Sequence, residues 1–267
     1  MAANPYVVLA RWQRQSALLT RRETELWRAL LNTRPMLRRL GKQAAELDDV
    51  LAELLSQTGH AVALLNEVLQ FSQLTLGPVH SVESWELSRI DQQVTQMLVA
   101  EREMISQVQF VRRRLRQLVT RYLSAREQVG KILNTLAQVQ ATRRRLRDAA
   151  QRFSTEYFDA LRNMPSKHRP ELITRAQRLA TTLTAQLSPT RQPADARQAA
   201  DEVRNLHQRL AALDHRFDQT VRALQAYGER LQSLDGVQFE ATFPALDGEP
   251  VTRQLRIRIR RQPLRLT

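Results

Sequence analysis

Between Ser84 and Met164 the chain has no proline and a single glycine, Gly130. Within that stretch, counting alternately by three and four from Ile90 lands on Val94, Met97, Glu101, Met104, Val108, Val111, Leu115, Leu118, Tyr122 and Ala125. The same count continues through Val129, Ile132, Leu136, Val139, Arg143, Leu146, Ala150, Phe153, Tyr157 and Ala160. A seam that returns every 3.5 residues is the mark of a supercoiled helix packed on other helices. At 1.5 Å per residue, a helix of this length extends about 120 Å. Glu101 and Arg143 break the apolar run. Single polar seam positions of this kind set register or partner choice.

A second seam starts at Leu26 and passes through Leu30, Thr33, Leu37, Leu40, Ala44, Leu47, Leu51, Leu54, Thr58, Ala61, Leu65 and Val68. Asn4 and Pro5 read as its helix start. Pro35 removes one helical hydrogen bond and crowds the preceding turn, so a kink or a brief break is expected there. The glycine and proline at 77 and 78 stop this arm, and Ser81 or Ser84 can cap the next helix. A second reversal is expected at 165–170. A third arm then carries Leu172, Ala176, Leu179, Leu183 and Leu187, breaks at 188–193, and resumes through Leu206, Leu210, Leu213, Phe217, Leu224, Tyr227, Leu231 and Leu234.

After Gly236 the period drops from 3.5 to 2. Val237, Phe239, Ala241 and Phe243 alternate with polar residues, and so do Leu255, Ile257 and Ile259. The turn-forming stretch 244–250 between them makes a β-hairpin the natural expectation. An isolated hairpin is marginal, so it must pack on the helices or join another sheet.

The expected fold class is therefore all-α: an elongated antiparallel three-helix coiled-coil rod with a short C-terminal β-hairpin. Its parts are a first arm at 1–76 kinked near Pro35, a long central helix at 82–164, a third arm at 170–235 broken at 188–193, and the hairpin with a basic tail at 237–262, all one elongated domain. A thinner two-helix coiled coil completed by a second copy of the chain is the competing arrangement. Aromatic content of 5% and seven glycines in 267 residues fit long helices better than a compact mixed fold.

No catalytic pattern emerges. Nucleotide-binding glycine loops and a nucleophile elbow are absent. The five histidines show no metal-like spacing, and there is no cysteine for thiolate or disulfide chemistry. The expectation is a non-enzyme with no metal and no cofactor. The first ten residues make a poor signal peptide, and no apolar run approaches the length of a membrane span, so a soluble cytoplasmic protein without transmembrane insertion is expected.

Charge supplies the remaining clue. The formal net charge is +14, and the only lysines are Lys42, Lys131 and Lys167. From Arg102 to Arg152 thirteen basic residues face Glu103, Glu127 and Asp148. Here Arg112, Arg113 and Arg116, then Arg144 and Arg147, are candidate contacts for an anion or a partner. In the tail, Arg256, Arg258 and Arg260 share one face of the second strand and form a coherent basic stripe. Bidentate arginine forks suit phosphates and carboxylates.

These features lead to a non-catalytic scaffold or adaptor that joins protein partners in a larger assembly of bacterial type, with the hairpin as partner contact. The alternative is an architectural protein that binds nucleic acid without sequence preference through its arginines. A third reading is a helical rod held at an anionic membrane surface.

Overall fold

The computed structural model describes residues 5–75, 81–162, 169–187, 193–243, 249 and 251–261. The elements are α1 (Pro5–Thr75), β1 (Ser81–Glu83), α2 (Ser84–Arg162), α3 (Arg169–Leu187), α4 (Pro193–Gln232), β2 (Gln238–Phe243) and β3 (Val251–Arg256). Asn4, the 77–78 stop, most of the 165–170 reversal and most of the 188–193 break lie outside the described residues. None of the helices is long and apolar enough to cross a membrane, among the described residues.

Burial follows the three-four counts closely. Every α2 seam position from Ile90 to Arg143 is buried, including Glu101 at 2% and Arg143 at 4% exposure. On α1 the positions from Leu30 to Val68 are buried in turn. The seam also reaches further back than Leu26, which is only half-buried: Leu9, Ser16 and Glu23 recur at heptad spacing and are buried. Each fully buried leucine contributes about 1.5–3 kcal/mol, so a long seam accumulates stability position by position.

Three elements depart from expectation. α1 runs through Pro35 unbroken, so the brief break and the division into pieces that the proline suggested do not occur. Buried Leu30, Thr33, Leu37 and Leu40 hold both sides of the proline, and the Thr33 hydroxyl donates to the Leu30 carbonyl at 2.7 Å. Residues 82 and 83, expected at the start of the long helix, belong instead to β1, and α2 begins at Ser84. The reason is tertiary: Ser81, Val82 and Glu83 pair in parallel with Glu240, Ala241 and Thr242, and pairing overrides a weak local helix preference. β3 ends at Arg256, short of the strand expected through Arg260.

By compactness the chain divides into two units. One comprises Met1–Arg39 and Tyr122–Leu206, the other Leu40–Arg121 and His207–Thr267. In the first, Leu9, Ala150, Leu183 and Leu187 form an apolar cluster, with Trp12 meeting Phe153 edge-on at 5.3 Å. In the second, cross-helix bonds set the directions. Thr58 on α1 meets Met104 on α2, while Asp48 and Asn66 on α1 meet Arg216 and Arg230 on α4. The numbering of the last two pairs rises together, so α1 and α4 run the same way. The second unit also carries the sheet, in strand order β1-β2-β3. β2 and β3 are antiparallel, from Gln238 opposite Arg256 to Phe243 opposite Val251. The turn between them lies outside the described residues apart from Glu249.

Candidate functional site

The sheet is joined to α4 by a tight turn at its end. Val237 N–H donates to the Leu234 carbonyl at 3.3 Å, and Gly236 sits at φ +85°, a conformation that side chains resist. Gly236 N–H donates to the Ile257 carbonyl at 2.9 Å, and Ile257 N–H donates to the Val237 carbonyl at 2.9 Å. Two residues thus oppose one, with glycine first, which is the pattern of a G1 β-bulge. The bulge twists the end of the pair and leads residues 257–261 back along the helices. Asp235 continues the guidance, accepting the Ile259 N–H on Oδ1 at 2.8 Å.

Past the bulge the alternation persists without strand hydrogen bonding. Arg256, Arg258 and Arg260 are exposed, Ile257 is half-buried and Ile259 is buried. Arg261 is therefore in phase with the inward residues. Its Nε and Nη2 donate to Glu101 Oε1 at 2.9 and 2.7 Å. Gly228 on α4 makes room for this pair: a methyl group there would overlap the Arg261 guanidinium and lie 2.8 Å from Glu101 Oε1. A glycine in mid-helix costs about 1 kcal/mol relative to alanine, and here it permits the close approach. Next to it, Tyr227 is fully buried and donates to the Met97 carbonyl at 3.2 Å. Burial, then the Glu101 charge, push its phenol up to about 12, with Arg261 pulling the other way.

The structure places the other named residues in different settings. Arg143 is paired with Glu23 of α1 and donates to the Gln186 carbonyl at 2.6 Å, while Gln140 also reaches Glu23. Both polar seam residues are thus buried in ion pairs, Glu101 in the second unit and Arg143 in the first. Arg113, Arg116 and Arg144 are exposed, and Arg112 and Arg147 are half-buried. Arg113 donates to its own helix at the Gln109 carbonyl. Arg147 lies 3.7 Å from Asp148. In the tail, Arg256, Arg258 and Arg260 form one solvent face.

Glu23, Gly228 and Arg261 were not singled out from sequence. The signals were present: Glu23 is seven residues before Leu30 on the α1 seam, and Arg261 is two beyond Ile259 on the inward face. No group of three or more histidine or carboxylate side chains is placed to hold a metal among the described residues.

No protein-family model and no curated protein sequence matches this chain. Among solved structures, a computationally designed three helix bundle is similar over 86% of this chain and 97% of its own, at 10% identity and a TM-score of 0.36.

Proposed function

We propose that the protein is a non-catalytic scaffold or adaptor that joins protein partners of a larger assembly in the cytoplasm, with the outer edge of β3 as its contact. The observation that carries this reading is the place of β3 at the end of the strand order, with residues 251–253 and 256 exposed. An edge strand is a template for another chain's strand. Natural proteins guard such edges with charge, and the flanking Arg256, Arg258 and Arg260 both discourage self-pairing and favour an acidic segment. The clasp of Arg261 on Glu101 and the bond from Ile259 to Asp235 hold the edge in a fixed place, which lowers the cost of binding.

The test follows from ladder geometry. Ile257 faces β2 through its N–H, so by alternation the Gln254 N–H faces the outer edge. Proline at 254 removes that donor and leaves the β2 pairing intact. Gln254→Pro is expected to abolish capture of a protein partner while helicity and the midpoint of thermal unfolding stay as in the wild type. Capture that survives Gln254→Pro refutes the edge as the contact.

A second reading, sequence-independent nucleic-acid binding, is favoured by the exposure of Arg113, Arg116 and Arg144 and, separately, of the tail stripe. Its signature is affinity for DNA that falls steeply with salt. Arg113→Ala with Arg116→Ala then reduces the salt slope by about one for each phosphate that is no longer neutralised.

A further inference from the structure

Within the second unit, α1 and α2 leave an open groove of about 260 Å³, lined by Gln43, Glu46, Val50, Phe110, Arg114 and Arg121 among others. Its contents are unusual for a solvated helix surface. Phe110 is 46% exposed and Val50 37%, and the Arg114 guanidinium covers the Phe110 ring at 5.3 Å. The apolar character continues along the same faces. Leu64 follows Val50 by about four turns of α1, and Val99 precedes Phe110 by about three turns of α2, and both are about half exposed. The antiparallel register set by Thr58 and Met104 brings Leu64 and Val99 to similar heights. On the opposite side of α1, Asp48 and Asn66 contact α4, so this groove is the face of the pair that α4 leaves uncovered.

The two rims differ in sign. Glu46 and Glu53 stand on the α1 rim, and Arg114 and Arg121 on the α2 rim. Glu46 is open to further pairing, since Lys42 approaches it only to 3.9 Å and both side chains are mostly exposed. A partner of one sign meets repulsion from one rim. A second copy of the same groove, turned about a twofold axis running along it, sets each acidic rim on the other's basic rim. An axis across the groove sets acid on acid instead.

We propose that this α1–α2 groove is a homodimer interface in which Phe110 and Val50 are the apolar anchors, Glu46 pairs with the partner's Arg121 and Glu53 with the partner's Arg114. Such an isologous, self-complementary patch is the commonest way for one chain to close on itself. Aromatic residues and arginine are the side chains that most often dominate interface energy. The interface is separate from the β3 edge and stands or falls independently of it.

The experiment uses the full chain. Light scattering over a dilution series is expected to give twice the 30.9 kDa chain mass at the concentrated end. Phe110→Asp, at a half-exposed position, is expected to raise the dimer dissociation constant by roughly 30-fold with helicity unchanged. Reversing one rim with Arg114→Glu and Arg121→Glu dissociates the dimer, and adding Glu46→Arg and Glu53→Arg restores it. The chain has no cysteine of its own, so a mixture of Gln43→Cys and Gln117→Cys chains reports the arrangement directly. The mixture is expected to form an oxidised two-chain species in higher yield than either variant alone. A monomer at every concentration overturns the proposal. So does a dimer that neither Phe110→Asp nor rim reversal weakens, or whose mixed cysteine variants cross-link no better than each alone.

Discussion

The α2 seam is interrupted by a base in one unit and by an acid in the other, and the answering charges come from different kinds of segment. Arg143 is met by Glu23, a residue of α1 on the facing seam, and also donates to the Gln186 carbonyl of α3. Glu101 is met by Arg261, which arrives on a non-helical segment led back by a glycine bulge. The first pair cannot open unless helices separate. The second can open when a few residues lift away. The interiors differ as well: among the described residues, Ser16 Oγ, Trp27 Nε1, Arg34 Nε, Arg147 Nε and Glu202 Oε2 are buried without a hydrogen-bond partner in the protein, and all belong to the first unit. Ordered water is the usual answer to such atoms. Both units place polar groups between helices, Thr58 and Tyr227 among them in the second, but only the second also uses a buried carboxylate, Glu101, to dock the segment that follows a sheet.

That contrast sets the expected size of each mutational effect. The largest belongs to the helix-to-helix pair. Arg143→Met leaves Glu23 buried without its guanidinium and is expected to cost about 3–5 kcal/mol in urea unfolding. Arg261→Met is expected to cost only about 1–3 kcal/mol, because the freed segment lets water reach Glu101. Equal losses would erase the distinction drawn between the two pairs. Replacing both partners, Glu23→Leu with Arg143→Met, should recover most of the loss, since a buried pair offers little advantage over well-packed apolar side chains.

Smaller effects sharpen the account of the clasp. Gly228→Ala should raise stability by somewhat less than about 1 kcal/mol when Arg261 is already alanine, the helix-propensity gain being offset in part by the shift the new methyl group imposes on the Glu101 carboxylate. In the wild-type background the same change should give no gain, because the new methyl group displaces the Arg261 guanidinium. A double-mutant cycle reads this coupling; additive effects would remove Gly228 from the clasp. The smallest effect is a pH dependence. The Tyr227 phenol stands at about 12 in the folded protein, above its ordinary value of 10.0. The unfolded chain therefore releases that proton first, and stability falls as pH rises from 10 toward 12. Tyr227→Phe should flatten this part of the alkaline unfolding profile, and an unchanged slope would contradict it.

How much of this was legible in the sequence depends on the range of the interaction. Period carried the helices: the α2 seam from Ile90 to Arg143 is buried position by position, because a 3.5-residue repeat leaves one stripe to cover. The same rule, carried back from Leu30 by sevens, reaches Glu23, but a charged residue hides the repeat from a search for apolar side chains. β1 was out of reach because three residues carry no usable period, and its pairing with residues 240–242 depends on contacts far along the chain. At Pro35 the local cost was visible, and the burial on both sides of it that keeps α1 unbroken was not. Of the arginines, the exposed alternation of Arg256, Arg258 and Arg260 was readable, while the inward turn of Arg261 needed knowledge that Glu101 lies opposite.

The Glu101–Arg261 pair clasps the segment that follows the sheet. Amide hydrogen exchange of the full-length protein, wild type against Arg261→Ala, tests it most directly. The Ile257 and Ile259 amides, bonded to the Val237 carbonyl and to Asp235, are expected to exchange at least about tenfold faster in the variant, while the α2 amides around Val108 and Val111 keep their protection. Unchanged exchange at Ile257 and Ile259 would mean that the bulge and Asp235 hold the segment unaided, and the clasp would be an incidental ion pair.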